Sequence, residues 1–231
     1  MTDATRPVGP PVDPTPARCP GAERLVGRFG SVSRLDAARD AVDLWQTLRD
    51  HDEVWTYMSP YGPFANEGAF SAWLAERETL NDPYYYSVRD TDGRTLGLAT
   101  LMEIRAAMRV IEVGHIVYSP ALQRTPLGTE TQYLLARYVF ETLGYRRYEW
   151  KCDSLNARSR RAALRYGFVF EGILRQHMIA KNRNRDTAYF SMLDSEWPAR
   201  KRNFERWLAP ENFDDDGRQK LSLAALNGQR A

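Results

Sequence analysis

The chain has 231 residues, of which 43% are hydrophobic and 27% are charged, and its 32 basic side chains nearly balance its 30 acidic ones. That apolar fraction is enough for a hydrophobic core, and a formal net charge of +2 argues against a dedicated nucleic-acid-binding protein. No apolar run approaches the roughly 18 residues of a transmembrane helix, so no membrane association is expected. The start of the chain lacks the apolar segment of a secretory signal, and two cysteines cannot form a disulfide framework. We therefore expect a cytoplasmic protein.

The distribution of proline predicts where the folded part begins. Six of the 13 prolines lie within the first 20 residues, a density that blocks helices and sheet ladders alike, so residues 1–22 are predicted to form a flexible arm. An acidic turn and weakly spaced leucines near the other end predict a C-terminal tail over residues 210–231. The core domain is accordingly predicted to span residues 23–209.

The first half of this domain predicts two helices and four strands. The predicted elements, in chain order, are a strand near Leu25–Leu35, a helix capped by Asp36, a turn-rich aromatic stretch over Trp55–Phe64, a helix over Asn66–Glu78, and strands over Tyr84–Arg89, Thr95–Ile104 and Val110–Tyr118. Short turns join the last three strands, which indicates a meander.

The second half alternates helices and strands. The predicted elements are a helix from Thr129 that ends at Gly144, a strand over Arg147–Cys152, a helix over Asn156–Tyr166, strands over Leu174–Ala180 and Asp186–Leu193 around a turn at residues 182–184, and a closing helix over Ser195–Leu208. This order predicts an α+β fold with one mixed central sheet flanked by helices. A strand–helix–strand crossover from Val110 to Cys152 places the loop before Thr129 at the C-terminal end of a strand, where ligands tend to bind.

That loop is the first candidate ligand site. Backbone amides at Gln123, Gly128 and Thr129, together with the helix dipole, are suited to hold a pyrophosphate, and Arg124 adds a cation. An ordinary strand-to-helix loop that uses Gly and Thr as a cap explains the same residues.

The second candidate is the start of the helix after the strand at residues 147–152. Asn156 and Ser159 are three residues apart and share a helix face, so an amide and a hydroxyl can meet one ligand there. The alternative is that Asn156 is an N-cap and Ser159 an exposed helix residue.

Together, the two motifs in this order of strands and helices resemble the Gcn5-related N-acetyltransferase (GNAT) superfamily and, within it, the RimJ/RimL-like branch. The resemblance covers roughly residues 25–197. Its most specific stretch runs from Lys151-Cys152 through Asn156 and Ser159 to Gly167-Phe168. It continues at Glu171-Gly172, Arg175 and Met192-Leu193, and Glu112-Val113-Gly114-His115 looks like the strand motif of the branch.

The resemblance implies a GNAT N-acetyltransferase domain over residues 23–209. It implies acetyl-CoA as co-substrate, no metal, and direct attack of a primary amine on the thioester without an acyl-enzyme. A protein N-terminal amine is the acceptor that the branch favours. The alternatives are an enzyme that acetylates a small amine, such as a polyamine or aminoglycoside, and a non-catalytic acyl-CoA-binding module. Nucleic acid is not expected as a partner, and a homodimer is compatible with this interpretation.

The resemblance also implies roles for particular residues. Asn156 would contact the pantetheine arm, and Ser159 would protonate the departing thiolate. The residues implied to hold the CoA phosphates are Gln123, Arg124, Thr125, Gly128, Thr129, Arg160 and Arg161. Arg158 and Arg165, on the same helix, are interpreted as a solvated face. Aromatic residues of the variable acceptor region, Trp55, Tyr57 and Tyr61, are the candidates for substrate binding.

This chain departs from the family pattern in three places. Pro126 replaces the first loop glycine and removes one N–H donor. Ala163 stands where many members carry a general-acid Tyr, which favours Ser159 as the proton source. His177 and Met178 stand where a basic carboxylate is proposed in the branch. The candidates for the general base are therefore Glu112, then His115, then Glu103. Cys152 is not expected to be a nucleophile, because it lies in a buried strand without a partner that would lower its pKa.

Overall fold

The computed structural model describes residues 6–59 and 61–228, which form one eight-stranded mixed sheet with helices on both faces. The strands are β1 (Arg24–Val26), β2 (Gly30–Arg34), β3 (Tyr84–Asp90), β4 (Thr95–Arg105), β5 (Val110–Tyr118), β6 (Arg147–Asp153), β7 (Val169–Ala180) and β8 (Arg183–Leu193). The α-helices are α1 (Ala37–Leu48), α2 (Glu67–Glu78), α3 (Pro126–Arg137), α4 (Ala157–Arg165), α5 (Trp197–Leu208) and α6 (Leu223–Leu226). A π-helical segment over Tyr138–Leu143 continues α3.

The spatial order of the strands is β1-β2-β3-β4-β5-β6-β8-β7. Adjacent strands are antiparallel except for β5 and β6, which are parallel because α3 carries the chain back across the sheet between them. The predicted α+β fold with a single mixed sheet is confirmed. The part of the chain that the structure describes contains no helix with the length and apolar composition needed to cross a bilayer.

The predicted first strand is instead a hairpin of β1 and β2. The carboxylate of Glu130 accepts hydrogen bonds from the backbone N–H groups of Arg28 at 2.6 Å and Phe29 at 2.8 Å, so the turn is bound to α3. A Cβ atom at Gly27 would lie 2.2 Å from the Glu130 carboxyl carbon. Only glycine allows this approach, and the partner lies about 100 residues away in sequence, beyond the reach of any local pattern.

Several other boundaries differ from their predictions. Strand β7 begins at Val169, five residues before the predicted Leu174, and β8 begins at Arg183, three residues before the predicted Asp186. Helix α3 begins at Pro126, three residues before Thr129, because the Thr125 side chain caps it by accepting from Gly128 N–H at 3.1 Å and a proline suits the first helical position. The β7–β8 turn consists of Lys181 and Asn182, both at positive φ, because the strand register pairs Ala180 with Arg183. The predicted turn at residues 182–184 was therefore placed too late.

The two faces of the sheet bury separate hydrophobic clusters. The main cluster packs α3, the π-helical segment, α4 and α5 against one face, and the second packs α1 and α2 against the other face near β3 and β4. Along β5, Ile111 and Val113 point into the main cluster. Because side chains alternate along a strand, Glu112 faces the opposite side of the sheet.

Both terminal segments contact the domain. In the proline-rich segment, Ala17 N–H donates to Ala106 O at 3.0 Å and Arg18 N–H to Leu143 O at 2.9 Å. After α5, Leu223 of α6 is fully buried in the main cluster. The packed part of the chain therefore extends beyond residue 210. Residues 1–5, part of the predicted arm, lie outside the described residues.

Candidate active site

The sheet opens between β5 and β6. Their parallel ladder ends at the Val113–Trp150 pair, although β5 continues to Tyr118 and β6 to Asp153. A bulge in β5 contributes to this separation: the β4–β5 register shifts between Leu98 and Thr100, and His115 has φ of +43°. Beyond Val113 and Trp150 the two strands are no longer paired, and the gap between their facing edges is called the cleft below.

Ser159 lies at the face of this cleft that is covered by α3 and α4. Asn156 caps α4 by accepting from Ser159 N–H at 3.0 Å, which fixes the first turn of the helix beside the end of β6. The indole N–H of Trp150 donates to Ser159 Oγ at 3.0 Å. The serine oxygen is thus used as an acceptor, and its own proton can be donated, either to the nearby Cys152 sulfur or to a bound group.

Glu112 lies at the other face, where acidic and basic side chains form a cluster. Its carboxylate is 6% exposed and lies 2.9 Å from Lys151 Nζ, which is also 3.4 Å from Glu149. Burial raises the pKa of Glu112 to about 7, although the Lys151 ammonium opposes this shift. A carboxyl group with this pKa can exchange a proton near neutral pH.

His115 belongs to a chain of hydrogen-bonded side chains on the Glu112 face. Its Nδ1 lies 3.0 Å from the hydroxyl of Tyr85, which in turn lies 3.2 Å from the hydroxyl of Tyr61. Burial lowers the pKa of His115 to about 4, and the charges of Arg77 and Arg185 act in the same direction. The imidazole is therefore neutral and a weak base at pH 7, which favours Glu112 over His115 as the proton acceptor.

The loop before α3 presents a different set of amides from the predicted one. The N–H of Gln123 donates to Ser119 O, that of Gly128 to Thr125 Oγ1, and that of Thr129 to Thr125 O. Within the described residues, the N–H groups of Arg124 and Thr125 and that of Leu127, in the first turn, have no such partner. These three amides, beside the exposed Arg124 side chain, are the donors available to an anion at the helix N-terminus.

The arginines of α4 are arranged differently from the prediction. Arg165, interpreted from the sequence as part of a solvated face, is partly buried: its Nη1 donates to Thr129 Oγ1 at 3.1 Å and its guanidinium lies 5.0 Å from the Trp207 ring. Helix α5 covers this side of α4, which local sequence does not reveal. Arg160 donates to Ser154 O at 3.3 Å, whereas Arg161 is exposed.

The three predicted acceptor-binding aromatics occupy three different environments. The Trp55 side chain is 2% exposed and packs against Phe64 and Trp73 in the second cluster, so its ring is part of the core. Tyr61 packs edge-on against His115 with 5.4 Å between ring centroids. Tyr57 is 40% exposed, and its hydroxyl donates to Leu155 O at 3.3 Å across the cleft.

Lys181, in the β7–β8 turn, was not predicted from the sequence, and it contacts the same loop as the Tyr57–Leu155 bond. Its ammonium donates to Trp55 O at 2.8 Å and Gly62 O at 2.7 Å. These contacts and the Tyr57–Leu155 bond hold the loop of residues 55–59 and 61–64 over the face of the cleft that carries Glu112 and His115, which is called the acceptor face below. No motif marks Lys181, because its partners are backbone carbonyls about 120 residues earlier.

Cys152 lies at the end of β6, near the cleft, with its thiol buried. Burial raises the pKa of the thiol, although hydrogen bonding to Ser159 and the charges of Arg185 and Arg160 oppose the shift. A thiol with a raised pKa is a poor nucleophile, so Cys152 is not activated for an acyl-enzyme step.

A sheet that opens between two parallel strands, with a helix N-terminus at one side and a hydroxyl and a carboxylate on opposite faces, is an arrangement suited to acyl transfer. A family model described as an acetyltransferase (GNAT) domain matches residues 33–169, more than half of the chain. The chain therefore belongs to the GNAT acetyltransferases and has the GNAT fold, as its sequence resemblance implied.

Solved structures agree with this assignment. A GCN5-related N-acetyltransferase from Brucella melitensis is 44% identical, with a TM-score of 0.90 over 93% of this chain and 98% of its own. A protein from Chromobacterium violaceum, a probable acetyltransferase of the GNAT family by its description, is 42% identical, with a TM-score of 0.77 over 84% of this chain and 100% of its own. A candidate ribosomal-protein-serine acetyltransferase from Vibrio cholerae is 18% identical, with a TM-score of 0.63 over 74% of this chain and 97% of its own, and shares the fold alone. No curated protein matches the chain.

Proposed function

We propose that this enzyme transfers the acetyl group of acetyl-CoA to a primary α-amine, with a protein N-terminus as the favoured acceptor, as in the RimJ/RimL-like branch. The observation that carries the proposal is the placement of Ser159 and Glu112 on opposite faces of the cleft between β5 and β6. A thioester bound in that cleft would present its sulfur to one face and its carbonyl carbon to the other.

Binding of acetyl-CoA is attributed to the start of α3 and the start of α4. The free N–H groups of Arg124, Thr125 and Leu127 would receive the pyrophosphate, and Arg124 would add a charge. Gly128 lets the helix pack against its own loop, because a Cβ atom there would lie 2.9 Å from Leu122 O. The amide nitrogen of Asn156 would meet the pantetheine arm, because only its oxygen is used in the cap. Arg161 is the better placed of the two arginines for the 3′-phosphate, because it is exposed and Arg160 is held by Ser154 O.

The proposed reaction uses one residue on each face of the cleft. The neutral amine attacks the thioester carbonyl carbon, its extra proton passes through water to Glu112, and Ser159 donates its proton to the departing thiolate. The raised pKa of Glu112 suits an α-amine: with a pKa near 8, about 10% of it is neutral at pH 7, against about 0.04% of a lysine near 10.4. The raised pKa of the Cys152 thiol supports direct attack in a ternary complex. The proposal includes a cytoplasmic location, consistent with two free cysteines.

A thermal-shift titration with acetyl-CoA, CoA and ATP tests the cofactor assignment. At a ligand concentration of 100 times Kd, one-site binding stabilises the folded state by about 2.7 kcal/mol. Stabilisation by both CoA species and not by ATP is expected. A subsequent amine panel with an N-terminal peptide, a lysine side-chain peptide and spermidine tests the acceptor, and faster turnover of the lysine peptide or spermidine would contradict the proposal.

A further inference from the structure

Arg185 brings a positive charge to the acceptor face of the cleft. It lies on β8 opposite Met178, and strand alternation places it with Thr187 and Tyr189, on the side that also carries Lys151 and Glu112. The charge of Arg185 acts on His115 of β5 and on Cys152 of β6, the two strands that border the cleft. Because Asp153, the last residue of β6, pairs with Thr187, Arg185 lies two residues further along β8, at the C-terminal end of β6 that borders the cleft.

Arg185 has no anionic partner within the described residues. It makes no hydrogen bond or ion pair there, and its Nε atom is buried without a partner. A half-buried guanidinium loses hydration, and this loss is compensated only if an anion or another acceptor meets it. The carboxylates on this face have other partners: Glu112 and Glu149 pair with Lys151, and Asp153, opposite Thr187, accepts from Leu155 N–H at 2.9 Å.

Arg77 adds a second cation at the same side. Its guanidinium lies 6.0 Å from the Tyr61 ring, which packs against His115, and its Nε is also buried without a partner. Its ion-pair partner among residues 6–59 and 61–228 is Glu76, whose side chain is 70% exposed at 3.0 Å. The charges that act on His115 are thus both positive.

We infer that Arg185, assisted by Arg77, binds a carboxylate of the acceptor, so the preferred acceptor is a primary amine with an acidic group a few bonds away. This inference rests on the proposed function. The carboxylate can come from an acidic side chain near a peptide N-terminus or from a free amino acid. The same two cations repel a polycationic amine and, by their field, favour the neutral form of the amine that attacks.

The test compares acceptors that differ in one charge, with each rate expressed per concentration of neutral amine, because a free α-carboxylate raises the pKa of the neighbouring amine. We would measure kcat/KM for C-terminally amidated peptides that begin Ser-Asp and Ser-Asn, for free serine and serinamide, and for spermidine. Because a charge-assisted hydrogen bond contributes more than a neutral one, we expect a preference of about tenfold or more for the Ser-Asp peptide. A larger ratio of serine to serinamide than of Ser-Asp to Ser-Asn would identify a free amino acid as the source of the carboxylate.

Variants of β8 assign the preference to Arg185. Arg185→Gln is expected to remove the Asp-over-Asn preference, and Arg185→Lys to retain part of it, while the Ser-Asn rate changes little. Arg183→Gln is the matched control, because it removes the same charge from an exposed position of the same strand, and it should keep the preference. Equal rates for the two peptides in the wild type, or a preference that survives in Arg185→Gln, would overturn the inference.

The proposed function and the inference can fail separately. If a primary amine reacts but the Ser-Asp and Ser-Asn peptides react at equal rates, the proposed function is retained and carboxylate binding by Arg185 is rejected. If no amine reacts, the function is rejected, and calorimetry with both peptides on the acetyl-CoA-saturated protein decides the inference. Tighter binding of the Ser-Asp peptide, lost in Arg185→Gln, would support it, whereas equal or undetectable binding would reject it.

Discussion

The indole N–H of Trp150 donates to the hydroxyl oxygen of Ser159 at 3.0 Å, at the end of the β5–β6 ladder. This bond orients the serine hydroxyl and stabilises negative charge on its oxygen, which makes proton donation easier. Because Trp150 also packs in the main core beneath α4, the position of the proposed acid is set by the packing of the domain.

Replacing Ser159 by Ala is expected to lower kcat by about tenfold or more, with little change in acetyl-CoA affinity, because a general acid acts on the transition state. Steady-state kinetics and a binding titration measure the two quantities. Ser159→Thr, which retains the hydroxyl, should recover part of the loss. An unchanged kcat in Ser159→Ala would remove this residue from the mechanism.

The pH dependence of activity should report Glu112. A general base must be deprotonated, and burial raises the pKa of Glu112 to about 7. Its ionisation adds to that of the α-amine near 8, so log(kcat/KM) should rise below pH 7 with a slope that approaches two. Glu112→Gln should lower the activity and reduce this slope to one, the contribution of the amine alone. Glu103→Gln, which removes the third candidate for the base, an exposed carboxylate on β4, should keep the slope of the wild type. The assignment fails if the slope is unchanged in Glu112→Gln.

Restoring an N–H at residue 126 should strengthen acetyl-CoA binding. Pro126 occupies the first position of α3, where an N–H would point toward the anion, and a hydrogen bond to a charged group contributes about 1.5–3 kcal/mol. We expect Pro126→Ala to bind acetyl-CoA at least about tenfold more tightly in calorimetry, because 1.4 kcal/mol corresponds to a factor of ten in Kd. Pro210→Ala, at the first position of the 3₁₀ helix Pro210–Asn212, should leave the affinity unchanged. Weaker binding by Pro126→Ala would place the phosphates elsewhere.

Removing the Lys181 ammonium should loosen the loop of residues 55–59 and 61–64 over the acceptor face. Lys181→Met loses both bonds to the carbonyls of Trp55 and Gly62, so we expect a higher KM for the amine and an unchanged affinity for acetyl-CoA. Lys220→Met is the matched control, because Lys220 Nζ donates to Glu211 O at 2.9 Å, outside the cleft. Equal effects of the two substitutions on KM would contradict this role.

The C-terminal segment should contribute to stability. Leu223 is fully buried, and truncation of a buried leucine to alanine costs about 2–5 kcal/mol, so Leu223→Ala should lower the free energy of unfolding by this amount. Leu221→Ala, two residues earlier and 41% exposed, should change it by less than about 0.5 kcal/mol. Urea denaturation measures the free energy of unfolding of both variants. An equally small loss in the two would show that α6 is not part of the cooperative unit.

Elements with local signals were predicted well. Asp36 caps α1 as expected, α2 begins one residue after its predicted start with Asn66 as its cap, and β3, β4 and β5 lie within one residue of their predicted bounds. Asn156 also caps α4, so the alternative interpretation of this residue as an N-cap is confirmed. The cap uses only the side-chain oxygen, and the amide nitrogen can still contact a ligand. For the three caps the deciding contact is within four residues, so the sequence pattern contains it. For the strands the pattern consists of apolar runs bounded by short turns.

The sequence by itself determined the order of the elements, their local caps and the family resemblance, because periodicity and capping are short-range properties. Only the tertiary structure decided that the Trp55 ring is core, that Arg165 is partly buried under α5, and that Lys181 and Arg185 reach the cleft. Each depends on contacts between residues far apart in the chain. Burial and pairing of a charge are set by these long-range neighbours, which no local window of the sequence contains.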